Sequence, residues 1–208
     1  MIERNLQRIK TILADVILII ITFSAMYWAV TVLYEYVFTF MPVYGISMSD
    51  TLNPVINGER REGDGVLVSR LSKYDRGDII VLKSPFPDDD QLLIKRVIAT
   101  TGDTVIILDG KVFIKYRGET SFRQPVGEGE DYFVIPYSAS FSRNTYPIVK
   151  EGEVFFLGDN RPVSHDSHSW ENDRNYCVKT DDIIGKVVWI LPGGSFWNKL
   201  FISFPQAT

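Results

Sequence analysis

Residues 104–116 read TVIILDGKVFIKY, with Asp109-Gly110 set between two runs of β-branched and aromatic side chains. Asp-Gly supplies the positive φ angles of a two-residue type I′ turn, whose twist matches that of paired strands, so the stretch predicts a β-hairpin. Outward from it, the runs 65–69, 79–82, 92–98, 132–135, 154–157 and 183–190 are of the same kind, short and apolar with Gly, Pro and Asp between them. No long helical period interrupts them, and the pattern predicts an all-β domain. Residues 117–150 are rich in Gly, Ser, Glu and aromatics and alternate weakly, which predicts an extended hairpin inserted on that β core.

Upstream the character of the chain changes. Residues 16–33, VILIIITFSAMYWAVTVL, carry no charge, and as a helix they extend about 27 Å, close to the hydrocarbon thickness of a bilayer. A cleaved export signal has a shorter apolar core and small residues at its cut, whereas the following LYEYVF at 33–38 is bulky. A buried core helix is the other reading, but Tyr27, Trp28, Tyr34 and Tyr36 gather toward one end, as an interfacial aromatic belt does. Arg4, Arg8 and Lys10 precede the segment and the next basic residue after it is Arg60. By the positive-inside rule, 1–15 is then a cytoplasmic segment, 16–34 a single transmembrane helix and 35–208 an extracytoplasmic β-rich domain. The expected fold class is mainly β: an N-terminal transmembrane helix in the lipid bilayer, then an all-β domain with the 117–150 insertion. The aromatic stretch 196–202, FWNKLFI, is either a lipid-touching segment or a plain core strand.

Composition narrows the function. Of 208 residues 45% are hydrophobic and 23% charged, which excludes a disordered chain. With 26 acidic against 22 basic side chains the net charge is −4, which excludes a basic nucleic-acid binder. The single cysteine, Cys177, excludes an internal disulfide and a cysteine-based metal cluster.

Two segments carry candidate chemistry. The only histidines, His165 and His168, lie in GDNRPVSHDSH at 158–168, where a Ser-His-Asp triad or a His-x-x-His metal site can be drawn. Neither is convincing, because an imidazole next to its carboxylate in a loop usually points elsewhere and two histidines lack the third ligand of a catalytic zinc. The stronger constellation is Ser47 in the polar turn GISMSDTL at 45–52, together with Lys95 inside the apolar run LLIKRVI at 92–98. Strand alternation sends Leu93, Lys95 and Val97 to one face and Ile94, Arg96 and Ile98 to the other. A lysine buried among apolar neighbours has its charged form disfavoured and suits a general base near neutral pH, which a serine nucleophile without a usable histidine requires. The plainer readings are that Ser47 is a turn residue, that Lys95 reaches out from a strand edge or pairs with Asp78 or Asp103, and that Arg96 is a surface charge.

Taken together these segments resemble bacterial type I signal peptidase, a membrane-bound serine peptidase that removes signal peptides from exported proteins. Four blocks match in family order: Gly45-Ile46-Ser47-Met48 with Thr51-Leu52; Arg76-Gly77-Asp78-Ile79-Ile80-Val81; Lys95-Arg96-Val97-Ile98 with Gly102-Asp103; and Gly158-Asp159-Asn160-Arg161 through Asp166-Ser167. The resemblance implies that Ser47 is the nucleophile and Lys95 the general base, with Ser164 holding the lysine amine and Asp166 and Asp159 buttressing the site. It further implies an oxyanion hole that includes the Ser47 N–H beside Gly45, and pockets for small substrate side chains lined in part by Met48. No metal or organic cofactor is called for, and the implied partners are signal peptides of exported preproteins. Three positions depart from the family pattern: Asp50 in place of proline, His168 in place of an arginine that pairs with the aspartate, and Ala99-Thr100-Thr101 in place of a glycine-containing stretch. Asp50 and the unusual 117–150 insertion motivate an alternative, a signal-peptidase-like assembly factor or dedicated processing enzyme for surface proteins such as pilins. A self-cleaving Ser-Lys repressor-type domain shares the dyad, but the apolar anchor speaks against it.

Overall fold

The computed structural model describes residues 2–49, 51–53, 55–56, 59–60, 63–84, 91–108, 111–125, 147–168 and 177–193. A helix, α1 (Ile2–Val32), runs through a sequence free of Gly and Pro and ends in one π-helical turn, Leu33–Val37, before Phe38 turns extended at φ −130° and ψ 144°. It begins well ahead of the apolar run because the preceding charged residues, including Glu3, Arg4, Arg8 and Lys10, are themselves good helix formers. None of its residues is buried, and it is long and apolar enough to cross a membrane. The hydroxyls of Thr11, Thr22 and Thr31 donate to the carbonyls of Gln7, Leu18 and Tyr27, one turn back, at 3.1, 2.8 and 2.9 Å. Such back-bonding leaves the polar atoms of an apolar helix satisfied without water. The chain divides into two compact units, Met1–Thr39 and Phe40–Thr208.

Beyond the helix the chain is mainly β. Among the described residues its strands are β1 (Phe38–Pro42), β2 (Val55–Ile56), β3 (Glu59–Arg60), β4 (Gly65–Ser69), β5 (Ile79–Lys83), β6 (Leu92–Ala99), β7 (Thr104–Leu108), β8 (Lys111–Lys115), β9 (Glu153–Leu157), β10 (Val178–Lys179) and β11 (Ile183–Leu191). Seven of them form one sheet in the order β1-β4-β11-β5-β6-β9-β10, and β2-β3 and β7-β8 are separate two-stranded pairs. The pairings β4-β11, β11-β5, β5-β6, β6-β9 and β9-β10 are antiparallel. Register shifts at Val97/Ala99, Ile183/Gly185 and Val187/Trp189 add local twist, and the sheet curls accordingly.

The alternation read from the sequence is realised on the central strands. On β5, Ile79 and Val81 pack with Val43, Met48, Leu52, Val66 and Val68, while Ile80 and Leu82 pack with Val97, Val154, Phe156 and Val178 on the other side. A further cluster gathers Ile98, Ala99, Val105, Val112, Ile114, Val149, Phe155 and Leu157, which joins the β7-β8 hairpin to the sheet. Both faces of the central strands are covered, so their runs read as continuously apolar in places.

The predicted hairpin is present: Leu108 pairs with Lys111 and Val105 with Ile114, which leaves a two-residue connection. Asp109 and Gly110 themselves lie outside the described residues, as do the run 132–135, most of the 117–150 insertion and the stretch 196–202. The two ends of the insertion come back to the hairpin, since Arg123 bridges Ile114 and the Val149 N–H donates to Asp103 O at 2.9 Å. Strands β1, β2, β3 and β10 were not expected, because two-residue strands carry no period and Phe38–Pro42 continues the aromatic character of the helix end.

Cys177 is free and packs against the cluster around Phe155, and its burial pushes the thiol up to about 12. Iodoacetamide is therefore expected to leave Cys177 largely unmodified in the folded protein at pH 9 and to label it promptly once the protein is unfolded. Phe156 is fully buried at the β6-β9 pairing, and Phe156→Ala should cost about 3–5 kcal/mol, read by chemical denaturation of the full chain in detergent micelles.

Candidate active site

The described residues 44–49 and 51–52 form turns pinned from below. Gly45 adopts φ 82°, which an L side chain rarely takes. The Ser49 N–H and hydroxyl both donate to Ile46 O, at 3.1 and 2.8 Å, and the Thr51 and Leu52 N–H groups donate to Met48 O at 2.9 and 2.7 Å. Met48 and Leu52, 3% and 1% exposed, drive into the core beside Val66 and Val68. Between Gly45 and these two apolar anchors, Ser47 stays half-buried at the surface of the turn.

Lys95 lies on the central strand β6 opposite Ile80 of β5, on the side of Leu93 and Val97. It is 3% exposed, and its Nζ donates to Ser164 Oγ at 3.1 Å. Burial pushes the Lys95 amine below the ordinary lysine range, and the charges of Asp166 and Asp159 partly oppose that shift. The carboxylates that offered an alternative partner are engaged elsewhere: Asp78 accepts from Lys186 Nζ at 2.8 Å, and Asp103 accepts from Arg76 Nε and Nη2 at 2.6 and 2.9 Å.

The segment 158–168 brings the two together. Ser164 stands over Lys95, and an added Cβ at Gly158 would collide with both Ser164 Oγ and the Ser47 carbonyl, so the three pack around one point. Asp166, fully buried, accepts the Gly158 N–H at Oδ2 over 2.8 Å and pairs through Oδ1 with His168 Nδ1. Asp159 holds the other side: Arg96 Nε and Nη2 fork onto its two oxygens at 2.7 and 2.5 Å, the Thr51 hydroxyl donates to Oδ2, and its own N–H points at Met48 Sδ at 3.3 Å. Through Asp159 the strand of Lys95 is joined to the turn of Ser47 by charge-assisted bonds.

Among the described residues the Ser47 hydroxyl makes no hydrogen bond, and such contacts commonly tighten only when substrate binds. Asp50 lies outside the described residues. Three contributors were given no role in the site from the sequence. Asn160 donates through its N–H to Ser47 O at 3.0 Å and through Nδ2 to Ile46 O at 2.9 Å, tying the turn to the last segment. The Ser167 hydroxyl accepts the Phe156 N–H at 3.0 Å. Arg96, readable as a surface charge, is committed to Asp159 and, through Nη1, to Gly77 O at 2.6 Å. The adjacency of Asn160 to Asp159, and of Arg96 to Lys95, was the available signal. His168 does reach a carboxylate, because the single intervening residue, Ser167, lets the chain turn back on Asp166, whereas His165 is exposed. No group of three or more potential metal ligands occurs among the described residues.

A family model described as "Signal peptidase, peptidase S26" matches residues 13–192. The chain belongs to that family. A probable signal peptidase I-1 of Synechocystis is 32% identical over 162 residues, spanning 73% of this chain and 72% of that protein. Thylakoidal processing peptidase 1 of Arabidopsis thaliana is 32% identical over 62% of this chain, and signal peptidase I of Rickettsia typhi is 32% identical over 60%. The chain spans only 36% and 55% of the length of those last two.

In this S26 chain the close approach at Gly158 is the tightest requirement of the site. Gly158→Ala should force Ser164 away from Lys95 or lift the Ser47 turn, at a cost of about 1–3 kcal/mol, visible as a lower thermal midpoint. An unchanged midpoint in that variant would contradict the packing described.

Proposed function

We propose that the chain is a membrane-anchored serine endopeptidase that removes N-terminal signal peptides from exported preproteins, cutting after small residues at Ala-x-Ala-type junctions. The observation that carries this reading is a lysine of an S26 chain buried on a central strand, held by Ser164 and packed beside the turn of Ser47. In the proposed mechanism, neutral Lys95 takes the Ser47 hydroxyl proton as Oγ attacks the scissile carbonyl carbon. The Ser47 N–H, with the turn at Gly45, stabilises the oxyanion. Collapse breaks the C–N bond, and the new amine of the mature protein leaves with the proton from the Lys95 ammonium. Water then gives its proton to Lys95 and attacks the ester, releasing the signal peptide as a carboxylic acid and restoring Ser47. Ser164 accepts from the amine and so turns its lone pair toward Ser47, Asp166 and Asp159 brace the two walls, and Met48 shapes the floor under the nucleophile.

Helix α1 supports membrane anchoring, and Arg4, Arg8 and Lys10 favour a cytoplasmic N-terminus with the β-rich domain outside. The assembly-factor reading rests on Asp50 and the 117–150 insertion and gains no support from a site that keeps both Ser47 and Lys95, whereas a dedicated processing enzyme would use the same two residues on fewer substrates.

Cleavage of an Ala-x-Ala peptide by the detergent-solubilised protein, read by mass spectrometry, tests the assignment. Ser47→Ala and Lys95→Ala should each lower turnover by about 10²–10⁴-fold or more, and undiminished cutting by either would remove that residue from the mechanism. Activity should decline as pH falls, because protonating Lys95 removes the base. Asp166→Asn deletes a charge that favours the ammonium, so its acid limb should move to lower pH even as its maximal rate drops; a move to higher pH would contradict the electrostatics.

A further inference from the structure

The two ends of the segment that carries Ser47 are tied together by a buried pair far along the chain from Lys95 and Ser164. Asn53 and Asp64 are 1% and 0% exposed. The Asn53 N–H donates to Asp64 Oδ2 at 2.8 Å, and the Asp64 N–H donates back to Asn53 Oδ1 at 2.9 Å. Asn53 Nδ2 donates to Val43 O at 3.0 Å, and the Val43 N–H donates to Asp64 O at 2.8 Å. The Gly193 N–H, just past β11, donates to Asp64 Oδ1. Val43 immediately precedes 44–52 and Asn53 immediately follows it, so these bonds close that segment at its base and fasten it to the start of β4.

The chemistry of the pair makes this closure stiff. A buried carboxylate is costly unless donors surround it, and bonds to an ionised acceptor are short and directional. Asn53 also sits at φ 52°, the one non-glycine residue of positive φ among those described. Asparagine tolerates that region better than most residues, and here its side chain is aimed back at Asp64 and Val43 by it. The middle of the segment is held by Met48, Leu52 and Asn160, but those contacts leave the separation of its ends open.

We propose that the Asn53–Asp64 pair is a positioning device for Ser47, which fixes the base of the 44–52 turn and so sets the reach of the hydroxyl toward Lys95. The proposal rests on the reading of Ser47 as nucleophile. It gives the site two arms: the pair, together with Asn160, governs the nucleophile, and β6 with Ser164 governs the base.

Steady-state kinetics on an Ala-x-Ala peptide, with the full-length protein in detergent, separate the outcomes. Glycine accepts a φ of 52° without strain, so Asn53→Gly removes the side-chain bonds alone. In that variant kcat should fall about 10–100-fold with KM within about twofold. The acid limb of kcat/KM should stay at its wild-type pH, because the surroundings of Lys95 are untouched. Wild-type kcat in Asn53→Gly, a loss carried by KM, or a displaced acid limb overturns the proposal. If Asn53→Gly does not fold, Asp64→Asn is judged on the same criteria, and failure of both to fold makes the pair a general support of the fold and overturns it as well. Cleavage that survives in a parallel Ser47→Ala variant, or is absent from wild type, sinks instead the functional reading on which the proposal stands.

Discussion

A lysine amine enclosed by protein is the constraint around which the rest of this site is arranged. Lys95 comes from the centre of the sheet, where neighbouring strands exclude water from both sides, and among the described residues its amine has Ser164 Oγ as its hydrogen-bond partner. Desolvation disfavours the ammonium, while Asp166 and Asp159 favour it, and burial is the larger of these influences. Neither carboxylate is left to face the amine alone. Asp159 is forked by Arg96, and Asp166 is engaged by the Gly158 N–H and His168, so both carboxylates are held by donors of their own while they act on Lys95.

Three stretches distant in sequence have to meet for this to happen, and the fold supplies a separate fastening for each junction. The turn of Ser47 is plugged into the core by Met48 and Leu52 and sewn to the last segment by Asn160. The strand of Lys95 is bound to the same last segment through Arg96 and Asp159, and to its sheet neighbours by the register with β5 and β9. Gly158 sits where the pieces converge, with no room for even one carbon beyond its backbone. The arrangement explains why the residues around Ser47 and Lys95 are mostly structural in chemistry, made of fixed carboxylates, arginine forks and small side chains.

Much of this arrangement is legible in the amino-acid sequence, and the part that is not has a physical reason. Local signals suffice for the long strands and the hairpin, since β4 and β7 fall on their predicted bounds and β5, β6, β9 and β11 within a residue or so at either end. The apolar run marks the helix, but not its start at Ile2, because a charged amphipathic prefix is as helical as the apolar part that follows. The placement of Lys95 with its side toward Leu93 and Val97 follows from alternation alone. The partners of Arg96, Asn160 and Asn53 do not, because they depend on which loops the sheet order brings together, and the order β11-β5-β6-β9 is invisible in a single sequence. His168 shows the converse case: a carboxylate lies nearby in sequence, and only the turn at 164–168 decides that the ring meets it.

The most direct measurement is an NMR titration of the Lys95 side-chain nitrogen in the solubilised protein, assigned by comparison with Lys95→Arg. Lys95 is expected to lose its proton below the ordinary lysine value of 10.5 and apart from the exposed lysines. Titration together with those surface lysines would contradict it, and with it the claim that burial on the central strand turns this lysine into a base.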